Sequence, residues 1–82
     1  ANISLDQKEI ANTLNYFGSL YWNKSQYDSS LFYYEKSLEI NRELTDTIGE
    51  ANVLTNIGIV YKDIGEFKKA LDYNIRAFEL RT

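Results

Sequence analysis

The apolar positions of this chain fall into four runs, each at helical spacing. Leu14, Phe17, Leu20 and Tyr21 recur at i, i+3, i+6 and i+7, which lays one stripe along a helix. After the polar break "NKSQYD" a second stripe carries Tyr27, Leu31, Tyr34 and Leu38, with Ile40 beside it. Leu54, Ile57, Val60, Tyr61 and Ile64 make a third, and Phe67, Leu71, Ile75 and Phe78 a fourth. No proline interrupts any of them. The pattern predicts helices over 6–24, 27–43, 47–63 and 67–81. Asp6 with Glu9, and Thr47 with Glu50, have capping-box spacing and mark two of the starts. Gly65, in the break "DIGEF", is placed to end the third helix in the left-handed conformation. Ser25 stands at the matching place in the first break, where a longer polar tract specifies the turn less well.

The four runs are two copies of one unit. At an offset of 40 residues Ala11, Asn12, Leu14, Gly18, Tyr21, Leu31, Tyr33 and Glu39 fall on Ala51, Asn52, Leu54, Gly58, Tyr61, Leu71, Tyr73 and Glu79. Conservative pairs fill the gaps, among them Phe17/Ile57, Leu20/Val60, Tyr27/Phe67, Ser30/Ala70 and Ser37/Ala77. Repetition at this period implies a helical solenoid. The expected architecture is all-α, with two antiparallel helix-turn-helix hairpins stacked as an α-solenoid. It forms a single domain over 1–82, with repeat one at about 6–43 and repeat two at about 47–82.

A glycine inside a helix costs about 1 kcal/mol relative to alanine, yet Gly18 and Gly58 sit inside predicted helices in register. Close approach of the two helices of a hairpin explains them. Gly18 is expected to face Ser30, and Gly58 to face Ala70. The cost is then offset by packing of the flanking Tyr21/Tyr61 and Tyr27/Phe67 rings.

Composition narrows the chemistry. The chain has no Cys and no His, which excludes disulfides, thiolate nucleophiles, Ser-His relays and the usual zinc sites. Glu35, Glu39 and Glu43 line one helix face and read as a solvated face paired with Arg42. No calcium loop, phosphate-cradling loop or dinucleotide fingerprint is present, so no enzyme activity, metal or cofactor is expected. A net charge of −3 argues against a general grip on nucleic acid. No apolar run approaches the roughly 20 residues that span a bilayer, and "ANISLDQKEIAN" shows no basic region followed by an apolar core. Nothing fixes the compartment; a cytoplasmic one is the expectation.

The repeated unit resembles the tetratricopeptide repeat, with its W-x2-L-G-x2-Y…A-x3-F…P pattern. Leu54 stands at the Trp position, Ile57-Gly58 at Leu-Gly, Tyr61 at Tyr and Ala70 at Ala; repeat one has Leu14, Phe17-Gly18, Tyr21 and Ser30 there. Two departures are visible. The period is 40 rather than about 34, with the extra residues in "NRELTDTIGEAN", and the proline after the second helix is missing. This is similar to a longer subtype found in peptide-binding adaptors and in helical sensor regions of bacterial regulators and kinases.

The resemblance implies a fragment of a right-handed superhelix and a non-catalytic interaction scaffold, whose first helices line a concave groove holding a peptide or helix of a partner. Carried over, the groove positions are Asn12, Asn15, Tyr16, Ser19, Trp22 and Asn23, then Asn52, Thr55, Asn56, Ile59, Lys62 and Asp63. Asn56 matches an asparagine that relatives use to hold peptide backbone, and an amide can both donate and accept. Trp22 would add an aromatic wall. Asn15 replaces the first-helix lysine of the chaperone-binding carboxylate clamp, which is therefore not reproduced. The alternative is an oligomerisation or signal-relay segment of a larger bacterial regulator, without a peptide ligand of its own. Because two hairpins are few for such an array, the chain is expected either to belong to a longer one or to pair its open ends with another copy, stacking or exchanging hairpins across 42–50.

Overall fold

The computed structural model describes residues 3–82, with side chains from Asp6 onward. Four helices follow one another: α1 (Ile3–Asn23), α2 (Tyr27–Glu43), α3 (Thr47–Ile64) and α4 (Phe67–Arg81). Helix α1 packs along α2, and α3 along α4, while α2 and α3 join the two hairpins. Among the described residues there is no strand, and the fold is all-α.

Helix α3 is central because it has a neighbour on two sides. Its Val53, Leu54, Ile57 and Val60 are 2% exposed or less and form the core with Tyr34, Leu38, Ala51 and Ala77. Each hairpin closes on two rungs of small residues. In the first, Ser30 Oγ donates to the Gly18 carbonyl and Ser37 Oγ to the Ala11 carbonyl, each at 2.7 Å and each buried. The equivalent places in the second hold Ala70 opposite Gly58 and Ala77 opposite Ala51. A Cβ on Gly58 would stand 3.4 Å from the Ala70 carbonyl oxygen, so the helices touch there through backbone. Buried methyls in one hairpin thus take the positions of satisfied hydroxyls in the other, and neither leaves an unpaired polar group.

Of the rings expected to flank these rungs, Tyr21, Tyr61 and Tyr27 pack there and Phe67 does not. Tyr21 stacks on Tyr33 with centroids 5.4 Å apart, and Tyr61 on Tyr73 at 5.5 Å. Tyr27 packs against the core, whereas its counterpart Phe67 lies on the surface. The fourth apolar stripe accordingly stays out of its own hairpin; α4 meets α3 through Ala70, Ala77, Tyr73 and Leu80.

The turns repeat as well. Ser25 and Gly65 both take positive φ, 60° and 97°, and in each turn the next amide reaches back to a tyrosine carbonyl: Gln26 to Tyr21, and Glu66 to Tyr61. Hydrogen bonding to the preceding turn thus holds a serine in a conformation that glycine adopts without strain. The starts differ from expectation. Helix α1 already runs from Ile3, so Asp6 lies within its first turns rather than capping it. For α3 the cap is Asp46, one residue before Thr47: its Oδ1 accepts the Gly49 amide at 3.0 Å. Glu50 turns instead to Arg42, whose Nε lies 3.0 Å from its carboxylate.

Asp46 also fastens the joint between repeats. Its Oδ2 lies 2.6 Å from Lys8 Nζ, and the same ammonium donates to the buried Asn41 Oδ1 at 3.0 Å. Gly49 makes room for this knot, since a Cβ there would come within 2.6 Å of the ammonium. The Lys8 hydrogen bond, then that of the Gly49 amide, holds the Asp46 carboxyl below its ordinary 3.8. Because the folded value is the lower one, this contribution is complete above the ordinary value and is lost as pH falls through the depressed one. Thermal melts of the wild type should therefore decline more steeply below about pH 4 than those of Asp46→Asn, which lacks the titrating carboxyl. Equal slopes would show that the knot contributes nothing.

Candidate functional site

The first helices of the two repeats, α1 and α3, leave a notch between them with α2 beneath. A cleft of about 270 Å³ opens there, lined by Ser19, Trp22 and Asn23 from α1, Asn56 and Ile59 from α3, and Tyr34 from α2. The spacing of the lining residues follows from helix geometry. Ser19 and Trp22 are one turn apart on α1, as are Asn56 and Ile59 on α3. Tyr34 crosses the core so that its ring lies against Gly18 and its hydroxyl reaches Ser19 Oγ at 2.7 Å. Burial pushes the Tyr34 phenol up from its ordinary value, against the opposing pull of the Ser19 hydrogen bond. It therefore remains a neutral hydroxyl at the floor of the cleft.

Two polar struts cross the notch. Asn56 Nδ2 donates to Asn15 Oδ1 at 3.0 Å, and Trp22 Nε1 donates to Asp63 Oδ2 at 2.6 Å. Asn15 and Trp22 are two turns apart on α1, and Asn56 and Asp63 two turns apart on α3, so both struts span one face of the joint. The asparagine pair keeps an acceptor on Asn56 and donors on Asn15 to offer a ligand. Ile59, 39% exposed, is the apolar wall between the struts.

The other predicted positions lie outside the cleft lining. Asn52 Oδ1 accepts Arg81 Nη2 at 2.9 Å, and Thr55 Oγ1 accepts Arg81 Nη1 at 3.2 Å, which seats a guanidinium from the end of α4 beside α3. Asn12 and Lys62 are exposed on α1 and α3, and Tyr16 projects from α1. No pattern in the sequence points to Arg81, and Tyr34 reads there only as part of an apolar stripe. A larger depression of about 470 Å³ follows α2, lined by Phe32, Glu35, Lys36, Leu38, Glu39, Arg42 and Glu43. All of its walls come from one helix, so it is a surface furrow. Among the described residues no group of three His, Cys, Asp or Glu side chains could hold a metal ion, and no helix is long and apolar enough to cross a membrane.

Antiparallel hairpins stacked at a fixed offset, with a notch between successive first helices, define a helical-repeat scaffold. The family model of the tetratricopeptide repeat matches residues 9–82, and the chain belongs to that family. Three relatives are similar over most of this chain. Outer dynein arm-docking complex subunit 4 of Danio rerio is 32% identical over 63 residues, which cover 77% of this chain and 13% of that protein. The uncharacterized protein ycf37 of Guillardia theta is 39% identical over 69 residues, 82% of this chain and 34% of that one. Tonsoku-like protein of Drosophila melanogaster is 33% identical over 79 residues, 94% of this chain and 6% of that one. The chain thus spans about a third or less of the length of each. No solved structure matches.

Proposed function

We propose that the notch between α1 and α3 holds a segment of a partner protein, with Asn56 and Asn15 gripping its backbone and Trp22 and Ile59 receiving an apolar side chain. The general role, a protein-interaction scaffold, is that of the family. The observation that carries the finer reading is the cleft itself. It brings Ser19, Trp22, Asn23, Asn56 and Ile59 to one place, with amide and hydroxyl groups around an apolar wall, the make-up of a site that fixes orientation by a few polar contacts. One relative's name places it in a docking complex, which suits the same role.

A library of random 12-residue peptides displayed on phage, selected against the whole chain, supplies the probe. Asn56→Ala should weaken the selected peptide about fivefold, the worth of one neutral hydrogen bond. Trp22→Ala should weaken it by about thirtyfold or more, as expected of an aromatic anchor. Asp63→Ala frees the indole without removing it and should leave affinity equal or improved. Unchanged binding in both Asn56→Ala and Trp22→Ala, with helicity intact, would place the peptide elsewhere.

A further inference from the structure

The floor of the notch is made by two hydroxyls that share a single bond. Tyr34 Oη and Ser19 Oγ lie 2.7 Å apart, and either can be the donor. Two hydroxyls carry two hydrogens, and the bond between them uses one. Among the described residues neither oxygen has another hydrogen-bond partner. Tyr34 is 3% exposed, yet it lines the cleft together with Ser19. Burial holds its phenol neutral against the pull of Ser19, so the leftover donor persists. The cleft is where that O–H can find an acceptor.

The rest of the lining narrows what the acceptor belongs to. A volume of about 270 Å³ falls below the about 300–1,000 Å³ of pockets that enclose a small molecule, and suits one side chain. Trp22 and Ile59 supply apolar surface from opposite helices, and none of the lining residues is charged. Lysine and arginine have no acceptor for the floor hydrogen. Aspartate and glutamate have one, but they would bring a negative charge into a lining without a cation, near the Asp63 carboxylate that Trp22 Nε1 already meets. Asparagine and glutamine would set an amide against the indole and Ile59. Leucine or phenylalanine would bury the floor hydrogen without an acceptor. Tyrosine satisfies every condition, with an apolar ring for the wall and a hydroxyl for the floor.

We infer that the side chain received between Trp22 and Ile59 is a tyrosine of the partner, its ring against the indole and its hydroxyl on the Tyr34–Ser19 pair. This rests on the reading of the notch as a peptide site and adds the residue that the site selects.

The 12-residue peptides selected on phage are the probe. They should share one tyrosine, and replacing it by phenylalanine should weaken binding to the wild type about tenfold, because the floor hydrogen is then left without an acceptor. Ser19→Ala combined with Tyr34→Phe removes both hydroxyls and keeps the ring that packs on Gly18. Circular dichroism will show that it folds. On this variant the two peptides should bind within about twofold of each other. The comparison on the wild type stands by itself, and the double variant locates the cost. If Trp22→Ala weakens peptides that share no tyrosine, or phenylalanine serves equally well, the tyrosine assignment falls and the notch reading survives. A tenfold cost that persists undiminished in the double variant also overturns the assignment, since the hydroxyl then lies elsewhere. If neither Trp22→Ala nor Asn56→Ala matters, the notch reading falls and this inference falls with it.

Discussion

Ile57→Ala is expected to lower stability by about 2–5 kcal/mol, the cost of truncating an aliphatic side chain where the surroundings cannot collapse. Ile57 is completely buried in α3, which packs against α4 and α2 and also meets α1. A domain of this length has a total stability of about 4–12 kcal/mol, so the loss removes a large share of it. The melting temperature should fall by about 10 °C or more. Urea titrations followed by circular dichroism give the measurement. Ile59→Ala, two residues along on the cleft wall, is the control and should cost under about 1 kcal/mol. If the two variants lose the same amount, α3 is not the keystone the burial pattern describes.

Gly18 and Gly58, equivalent positions of the two repeats, should respond to alanine with opposite signs. At Gly18 a Cβ would stand 2.6 and 2.8 Å from ring atoms of Tyr34. That ring is 3% exposed and its hydroxyl is tied to Ser19, so it cannot retreat. Overpacking of this kind costs about 1–3 kcal/mol, which outweighs the helix-propensity gain of about 1 kcal/mol. Gly58 is different. Its new Cβ would meet Asn74 Oδ1 at 2.7 Å, the far end of an exposed amide, while the Ala70 carbonyl stays at ordinary contact distance of 3.4 Å. The amide can swing away, so Gly58→Ala should be neutral or stabilising by up to about 1 kcal/mol. Destabilisation of both by the same amount would mean that the backbones, not Tyr34, set the limit in both hairpins.

The hairpins were legible in the sequence because the close-approach positions repeat by size: glycine and alanine on the first helix, serine or alanine on the second. What repetition could not say was which face of α4 its own hairpin uses. Phe67, Leu71, Ile75 and Phe78 have the right period, but a period does not distinguish the side toward the hairpin partner from the side toward the next joint. In α4 the hairpin takes the smaller residues, Ala70 and Ala77. Capping failed for a similar reason. Thr47 and Glu50 have the spacing of a box, yet Asp46, one residue earlier, has the carboxylate at the place where the chain turns in.

Asn56, Trp22 and Ile59, expected on one surface, do line one cleft, but their pairings were not legible. Asn15 meets Asn56 and Trp22 meets Asp63 at a separation of 41 residues, one more than the repeat. Self-comparison aligns equivalent positions, whereas contact joins a position to the neighbour of its equivalent. Arg81 reaches Asn52 and Thr55 by the length of its side chain, which no spacing rule records.

The two struts have a mechanical consequence. They cross the notch between α1 and α3, while most of the contact between the repeats is made by α2 against α3. A guest that takes the Asp63 Oδ2 acceptor or the Asn15 Oδ1 acceptor competes with a strut, whereas one that uses Asn56 Oδ1 leaves both in place. On the reading proposed for the notch, binding at either of the first two atoms would exchange a tie between the repeats for a contact with the guest.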